Sequence, residues 1–295
     1  MEEVVCICGG KDSRLVYKGK IRDGKVGKLT KVDHEIVKCL SCGLVRLNNN
    51  PLSPDYYQTK QYRESYNSTA DPSEYIKEHD SEQAERINKL GSGFFRNSII
   101  LDYGCGGGVF LDLVKGLSLT TIGIEPYIGY HDSLRDRGHV IYSDVDLAMH
   151  EYKGKVDRMV SFFVIEHVND PVQYLTDSYN LLNVGGSLYL ETDNLNTILF
   201  ELGASKYEEF FFRTAHQWYF DSDTLQELAQ SVGFSEIKIS FRHRYDLSNA
   251  VLWMRDSIPS GNGKVKILDE RINTSWMSFV ESIGMADIVC VEMVK

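Results

Sequence analysis

The residues best suited to chemistry in this 295-residue sequence form a glycine-rich turn beside an acidic side chain. The apolar stretch Ile99–Tyr103 runs into three glycines, Gly104, Gly106 and Gly108. Glycine lets the backbone turn tightly and lets a ligand approach without a Cβ in the way. Asp102 stands just before this turn, where a carboxylate would repel a pyrophosphate and attract an ammonium group. The turn therefore predicts a zwitterionic or cationic cofactor, and a glycine turn without any ligand is the simpler alternative.

The glycine spacing departs from the dinucleotide-binding pattern G-x-G-x-x-G. Val109 occupies the position that this pattern reserves for its third glycine, because Gly108 comes one residue early. Together with Asp102, Val109 disfavours an NAD-dependent oxidoreductase.

Two further acidic residues follow predicted strands. Glu125, next to Pro126, stands at a strand tip where its carboxylate could accept hydrogen bonds from both hydroxyls of a ribose. Asp144, next to Val145, could accept a hydrogen bond from an adenine amino group, and a solvated loop aspartate is the alternative.

Four of the six cysteines come in two pairs near the N-terminus, Cys6-x-Cys8 and Cys39-x-x-Cys42. Clustered thiols in a chain whose first residues are acidic, unlike an export signal, are better interpreted as zinc ligands than as disulfides. The first pair is irregular because only one residue separates its cysteines, so His34 is an alternative to Cys6.

Positioning these residues requires a sheet, and short β-rich runs alternate with helical stretches from about residue 98 onward. Predicted strands are Ser98–Tyr103, Thr120–Ile124, Val140–Tyr142, Val156–Phe163, Ser187–Thr192, Ile237–Phe241 and Ile288–Val294. Predicted helices are Val109–Lys115, His131–Arg137, Val172–Leu182 and Thr224–Val232. Such alternation predicts an α/β fold with a mostly parallel sheet and helices on both faces.

The sequence divides into three predicted regions. Residues 1–50 form a zinc-binding module that ends at the turn Asn48–Pro51, residues 51–95 form a linker and an entry helix, and residues 96–295 form the main domain. Two insertions, 194–219 and 246–285, are too long for simple loops and predict lids or substrate surfaces. Their aromatic residues predict either an apolar acceptor pocket or ordinary core packing: Tyr207, Phe210, Phe211, Phe212 and Trp253.

Residues 95–295, with this turn and these carboxylates, resemble the class I methyltransferases that depend on S-adenosylmethionine (SAM). The resemblance implies a Rossmann-like seven-stranded sheet. It places Asp102 and the three glycines around the methionine portion of SAM, Glu125 with Pro126 at the ribose, and Asp144 with Val145 near the adenine. The segment Phe162–Pro171, which contains Phe163 and His167, looks like the family's segment that lines the sulfonium and faces the acceptor.

The cysteine module, followed by Tyr56-Tyr57 and a SAM domain, is similar to the sugar C-methyltransferases that act on nucleotide-linked deoxysugars. The tyrosines of the segment Tyr62–Tyr66 match a family segment that reaches over cofactor and sugar, and solvent-exposed linker tyrosines are the alternative. That family carries a further C-terminal domain, whereas this sequence ends where the seventh strand ends. The acceptor and the choice between carbon and oxygen therefore stay open.

Methyl transfer to a hydroxyl or an acidic C–H needs a base, and histidine suits that task near neutral pH. The segment Thr214–Phe220 resembles the family's Glu-His segment, with Ala215 in place of the glutamate. His216 is the first candidate base and His167 the second. A hydrogen-bonded histidine that holds a loop is the alternative for either.

Bulk properties favour a cytoplasmic enzyme that acts on a small molecule. The formal net charge is −10 and no basic stripe is present, which disfavours nucleic acid as a partner. No apolar run approaches the roughly 20 residues that span a membrane. We expect a sugar or nucleotide-linked sugar as acceptor, in polysaccharide or secondary-metabolite biosynthesis. Another small polar metabolite, or a non-catalytic zinc-bearing scaffold, is the alternative, and the sequence indicates no oligomeric state.

Overall fold

The computed structural model describes residues 5–49, 52–53, 55–66, 69, 71–259 and 263–295. Asn50 and Pro51, at the predicted end of the zinc-binding module, lie outside the described residues. So do Met1, Glu2 and Glu3 of the acidic N-terminus.

Eleven strands and twelve helices are formed by the described residues. The strands are β1 (Ser13–Gly19), β2 (His34–Cys39), β3 (Val45–Leu47), β4 (Ile99–Tyr103), β5 (Thr120–Ile124), β6 (Val140–Tyr142), β7 (Val156–Phe162), β8 (Leu182–Asp193), β9 (Trp218–Tyr219), β10 (Ser235–Arg242) and β11 (Ile288–Val294). The helices are α1 (Gln61–Ser65), α2 (Pro72–Leu90), α3 (Ser92–Phe95), α4 (Val109–Val114), α5 (His131–Asp136), α6 (Val145–Tyr152), α7 (Pro171–Leu181), α8 (Ile198–Glu201), α9 (Tyr207–Phe211), α10 (Ser222–Val232), α11 (Leu247–Asp256) and α12 (Glu270–Ser282). Within the described part of the chain, no helix combines the length and the apolar character needed to cross a membrane.

A seven-stranded sheet in the order β10-β11-β8-β7-β4-β5-β6 forms the centre of the larger region. Strands β4 to β8 pair in parallel, and β11 runs antiparallel to both of its neighbours. This confirms the predicted α/β class and the Rossmann-like seven-stranded sheet. In a parallel sheet the carboxyl ends of neighbouring strands meet at one edge, and ligands bind in the crevice outside that edge.

The second sheet is small, antiparallel and assembled from distant parts of the chain. Its order is β1-β2-β3-β9, and β9 comes from the region predicted as the first insertion. Val45 pairs with Tyr219 and Arg46 with Trp218. Ile36 and Leu47 of this sheet share a core with aromatic residues of the first insertion, such as Phe212. The small sheet and the insertion therefore fold against each other.

Helix α2 is the predicted entry helix, and buried charges fasten it to the larger sheet. Asp71 caps its first turn by accepting hydrogen bonds from the backbone N–H groups of Ser73 and Glu74. Near its other end, the buried Arg86 donates from Nε to Glu191 on β8 at 2.9 Å. Arg242 of β10 donates to the same carboxylate at 2.8 Å. These pairs fix the helix above the carboxyl edge of β4.

Candidate active site

The glycine turn after β4 has a backbone that requires glycine. Gly106 has φ 52° and Gly108 has φ 79°, both in the left-handed region that other residues avoid. Gly108 also begins helix α4 as its N-cap. A Cβ on Gly106 would lie 2.3 Å from the hydroxyl oxygen of Tyr75 on α2. The entry helix therefore packs closely against one side of the turn, at a distance that leaves no room for a side chain on Gly106.

Asp102, the last residue but one of β4, is buried at the base of this turn. Its Oδ1 has no hydrogen-bond partner among the described residues. Burial raises the pKa of Asp102 to about 7, although the nearby Arg86 lowers it. A buried carboxylate oxygen with an open lone pair suits the ammonium group of the predicted cofactor.

Glu125, directly after β5, is buried and already holds three protein donors. Its Oε2 accepts from the backbone N–H of Gly106 at 2.9 Å. Its Oε1 accepts from the backbone N–H of Tyr127 at 2.9 Å and from Arg63 at 3.2 Å. A carboxylate offers about four lone-pair sites, so roughly one acceptor position is left for a ribose hydroxyl. Pro126 follows in the chain and is half-buried.

Arg63 was not singled out by sequence reasoning. It is buried, and its guanidinium lies 4.5 Å from the ring centroids of both Tyr127 and Tyr130. It comes from α1, within the predicted tyrosine segment, and its pairing with Glu125 joins that segment to the glycine turn.

Asp144 is an exposed residue at the carboxyl end of β6. Its Oδ1 accepts from the backbone N–H of Leu147 at 3.0 Å, which makes it the N-cap of α6, and Val145 is the first residue of that helix. Ser143 donates its hydroxyl to the other carboxylate oxygen at 2.8 Å. The capping role is the use of this carboxylate that the structure shows, and its predicted role near an adenine stays a prediction.

Phe163 follows β7 and has an unusual backbone. Its φ of 57° places a bulky residue in the left-handed region, a strained arrangement that is found most often at functional sites. Its backbone N–H donates to the carbonyl of Glu191 at 2.8 Å. The guanidinium of Arg244 lies 5.3 Å from the ring centroid of Phe163.

His167 and His216, the two predicted bases, lie together. Their ring centroids are 4.8 Å apart and the rings are nearly perpendicular. His167 Nδ1 lies 2.8 Å from the carbonyl oxygen of Ala215. A carbonyl can only accept, so Nδ1 of His167 carries the proton and Nε2 keeps the free lone pair.

His216 Nδ1 is buried and has no hydrogen-bond partner among the described residues, although Asp193 Oδ2 lies 3.7 Å away. Burial lowers the pKa of His167 to about 4, and burial together with Arg213 lowers the pKa of His216 well below its ordinary value. Both rings are therefore neutral at neutral pH.

Glu166 is a further candidate residue of the site, to which the sequence analysis assigned no role. It is buried beside His167, its Oε2 accepts from the Thr192 hydroxyl at 2.8 Å, and its Oε1 has no partner among the described residues. Burial and, to a smaller extent, the nearby Asp193 together raise the pKa of Glu166 to about 8. One ligand atom each from Glu166, His167 and His216 lie within 4.8 Å of one another, a spacing that a divalent cation could bridge. The sequence signal was a glutamate inside an otherwise apolar run.

The predicted tyrosines gather on the histidine side of the site. The Tyr62 ring lies 5.8 Å from the ring of His167 and 5.1 Å from that of Tyr66. Tyr57 donates its hydroxyl to the carbonyl of Ala215 at 2.5 Å. The Tyr66 hydroxyl is buried without a partner among the described residues. Burial raises the pKa of both Tyr62 and Tyr66, so both hydroxyls stay protonated at neutral pH.

A buried ion pair completes this side. Arg213 donates from Nη2 to Asp193 Oδ2 at 2.7 Å, and Asp193 is the last residue of β8. The sequence analysis assigned neither residue a role. The two residues are 20 positions apart in the sequence, and only the fold brings them into contact.

The two sides of the site meet at Val164. A Cβ on Gly104 would lie 2.4 Å from Cγ2 of Val164, so the glycine turn packs against this residue. The carbonyl of Val164 accepts from the backbone N–H of His167 at 2.9 Å. The turn and the histidine pair are thus adjacent.

The four N-terminal cysteines form a separate cluster. Cys6 and Cys42 have sulfurs 3.7 Å apart, and Cys8 and Cys39 have sulfurs 3.6 Å apart. Four sulfurs at about 2.3 Å from a tetrahedral zinc ion would be about 3.8 Å from each other, so the cluster fits that ion. His34 lies at the other end of β2 and pairs with Gly19, away from Cys39.

Burial works against ionisation of Cys39, but the backbone N–H groups of Cys42 and Ser41 bond its sulfur, and the pKa of Cys39 is lowered to about 6. A readily ionised thiol is the form that binds metal.

A family model described as "Methyltransferase domain" matches residues 75–239, which is 165 of the 295 residues. The ubiquinone biosynthesis O-methyltransferase of Ruegeria sp. (strain TM1040) is 27% identical over 165 residues, covering 52% of this chain and 65% of that protein. The human mitochondrial ubiquinone biosynthesis O-methyltransferase is 27% identical over 151 residues, covering 46% of this chain and 41% of that protein. The chain thus spans less than two thirds of the length of these curated relatives.

Solved structures share the fold. A SAM-dependent methyltransferase from Archaeoglobus fulgidus superimposes with a TM-score of 0.53 at 17% identity, covering 79% of this chain and 98% of that one. Phosphoethanolamine N-methyltransferase 2 of Haemonchus contortus, in complex with phosphomonomethylethanolamine and S-adenosylhomocysteine, gives a TM-score of 0.51 at 15% identity and covers 85% and 62%.

Proposed function

Because the chain belongs to the SAM-dependent methyltransferase family, we propose that it transfers a methyl group from SAM to an oxygen or carbon of a sugar or nucleotide-linked sugar. The family follows from the match over residues 75–239. The sugar is our own inference from the tyrosine and histidine groups and from the cysteine module.

The observation that carries the proposal is a set of buried polar atoms without partners among the described residues. Asp102 Oδ1 belongs to the cofactor side, whereas Glu166 Oε1, His216 Nδ1 and the Tyr66 hydroxyl belong to the acceptor side. Native proteins leave few buried polar atoms unsatisfied, because each costs about 1–3 kcal/mol. Four of the ten such atoms among the described residues belong to the candidate site, and a polar ligand bound there would supply their missing bonds.

On the cofactor side, each residue has a proposed role. Asp102 binds the ammonium of SAM, Glu125 accepts from a ribose hydroxyl, and Asp144 with Val145 borders the adenine. The glycines admit the methionine portion, and Phe163 flanks the sulfonium. Bound SAM supplies a methyl group already activated by positive sulfur, so the protein has mainly to align the acceptor and remove its proton.

On the acceptor side, neutral His216 takes the proton of the attacking group. The resulting imidazolium is stabilised by Asp193, whose Oδ2 lies 3.7 Å from Nδ1. His167 is the second candidate base through its free Nε2. Tyr62 and Tyr66 are placed to donate hydrogen bonds to acceptor hydroxyls while their rings exclude water.

The cysteine cluster is proposed to hold a structural zinc ion through Cys6, Cys8, Cys39 and Cys42. Such an ion would stabilise the turn between β2 and β3, since structural zinc sites contribute directly to folding. It lies outside the group of residues proposed to act in methyl transfer.

A phenolic hydroxyl is the second candidate acceptor. The curated relatives are named as ubiquinone biosynthesis O-methyltransferases, and the same histidine pair could deprotonate a phenol. Another small polar metabolite would meet the same groups.

Two measurements test the proposal. Calorimetry of the purified chain with SAM and with S-adenosylhomocysteine should show binding of both. A screen of nucleotide-sugars, free sugars and phenols with SAM should then give one class of product heavier by one methyl group. Absence of affinity for either cofactor form would overturn the whole proposal, and methylation of phenols alone would overturn the sugar.

A further inference from the structure

A cavity of about 400 Å³ lies beside the candidate active site, between the two insertions. Its apolar lining residues are Ile198, Leu199, Tyr207, Phe210, Ala250 and Trp253. Three of the five aromatic residues predicted to build an acceptor pocket therefore line it. The other two, Phe211 and Phe212, are buried in the core that the insertions share with the small sheet.

The cavity wall contains two carboxylates, Asp246 and Asp287, and each is paired with a cation of the protein. Its other polar residues are Thr197, His243, Tyr245 and Asn249. Asp287 Oδ2 accepts from Arg244 Nε at 2.6 Å, and Asp287 Oδ1 lies 3.1 Å from His243 Nδ1. Asp246 caps α11 and pairs with Lys264. None of the described residues that line the cavity is a lysine or an arginine. A phosphate or carboxylate placed here would find no lysine or arginine among the described wall residues to pair with, and burying an unpaired anion is costly, so the cavity disfavours anions.

A short chain of charged contacts connects the cavity to the candidate base. Arg244 pairs with Asp287 at the cavity wall, and its Nη2 lies 3.8 Å from Asp193 Oδ1. The other oxygen of Asp193 lies 3.7 Å from His216 Nδ1. One arginine therefore separates the cavity wall from the carboxylate beside the base.

We propose that this cavity binds an uncharged, apolar group of ring size that is attached to the acceptor. The inference rests on the proposed function, because it assigns the cavity to the same acceptor that His216 deprotonates. The volume lies at the lower end of the range for small-molecule sites and accommodates one or two fused rings. The aromatic walls offer stacking and edge contacts to such a ring. An aromatic hydrocarbon group fits, whereas the diphosphate of a nucleotide-sugar would have to lie outside.

The test uses the neutral naphthalene ketone 6-propionyl-2-(dimethylamino)naphthalene, whose fluorescence reports an apolar environment. Binding is compared in the wild type, in Ala250→Phe, which fills the cavity, and in Val251→Phe. Val251 is 40% exposed on the same helix, so it is the matched control. We expect Ala250→Phe to raise the dissociation constant of the probe by about tenfold or more, the loss of about 1.4 kcal/mol of contact. Val251→Phe should leave it within about twofold.

The affinity for SAM, measured on the same three proteins, should stay within about twofold of wild type. In the methyl-transfer assay, the probe should inhibit competitively with the acceptor and not with SAM. Should Ala250→Phe fail to fold, as judged by circular dichroism, Phe210→Ala replaces it, with an expected rise of about fivefold in the probe's dissociation constant.

Equal probe affinity in the wild type and the cavity variant would overturn the inference, as would inhibition that is not competitive with the acceptor. Failure of the proposed function would look different. In that case SAM would not bind or no methyl would be transferred, whereas the comparison of probe dissociation constants between the wild type and the two variants needs neither.

Discussion

The proposed cofactor side and the proposed acceptor side of the site are built in different ways. Asp102, Glu125 and Asp144 stand at the carboxyl ends of three adjacent parallel strands, β4, β5 and β6. The acceptor side instead gathers the tyrosine segment, residues 166–167, the end of β8 and residues 213–216 from distant parts of the chain. Local sequence therefore specifies the cofactor side, whereas packing of the insertions specifies the acceptor side. Insertions can change the acceptor while the cofactor residues stay as they are.

The largest effect is expected from a substitution of His216, which should change turnover and leave SAM binding unchanged. We expect His216→Gln to reduce turnover by about 10²- to 10⁴-fold, the usual cost of losing a general base. The affinity for SAM should stay within about twofold, because His216 belongs to the acceptor side alone. The measurements are steady-state turnover on the acceptor found by the screen and calorimetry with SAM.

His150→Gln is the matched control, since His150 is an exposed residue of α6. It should leave both quantities unchanged. Normal turnover in His216→Gln would remove this residue from the mechanism and make His167 the candidate to test next.

A smaller effect is expected from Asp102→Asn, which acts on the cofactor side. Loss of a charge-assisted hydrogen bond of about 1.5–3 kcal/mol should raise the dissociation constant of SAM by about 10- to 100-fold. The pKa of Asp102 is raised to about 7, so its binding-competent carboxylate becomes more populated as pH rises. In the wild type, SAM should therefore bind about fivefold more tightly at pH 7.5 than at pH 6, a range in which an α-amino group stays largely protonated.

The Asn variant should lose this pH dependence, which calorimetry at the two pH values would reveal. Asp136→Asn, at an exposed position of α5, controls for the charge change. A slope that persists in Asp102→Asn would assign the titration to another group.

The smallest expected effect concerns Asp144, where capping and cofactor binding use one carboxylate. Asp144→Ala should lower the free energy of unfolding by about 1 kcal/mol through loss of the N-cap, whereas Asn retains a capping oxygen. Asp144→Ala should also raise the dissociation constant of SAM by about 2- to 10-fold, which corresponds to the loss of one ordinary hydrogen bond. Chemical denaturation and calorimetry measure the two effects separately. Lower stability with unchanged SAM binding would leave Asp144 as a helix cap only.

Sequence patterns predicted the larger sheet almost residue by residue. The strands Thr120–Ile124, Val140–Tyr142 and Ile288–Val294 were predicted with the bounds that the structure has. These strands are buried apolar runs bounded by turn residues, so their ends are marked locally. Strand β8 was predicted from Ser187 but begins at Leu182, because its first residues are stabilised by pairing with β7.

What could not be predicted depends on contacts between distant residues. Strand β9 has two residues and no pattern of its own, since pairing with β3 alone makes it a strand. The sequence shows a glutamate at position 166. It does not show that one carboxylate oxygen of Glu166 lacks a hydrogen-bond partner, because that depends on which side chains pack around it in the fold. Arg213 and Arg244 likewise enter the candidate site only through their contacts with Asp193. Asp193 is distant from both in the sequence, so no local pattern predicts these contacts.

Strand β9 also affects the order in which the protein can fold during synthesis. The free edge of β3 stays unpaired until the ribosome has made the chain as far as Tyr219, and an unpaired strand edge invites association with other chains. A metal ion held by the cysteines would keep β2 and β3 together through that interval. The growing polypeptide would then present an ordered edge of β3. The segment that contains His216 and β9 could pair with this edge as soon as it has been synthesised.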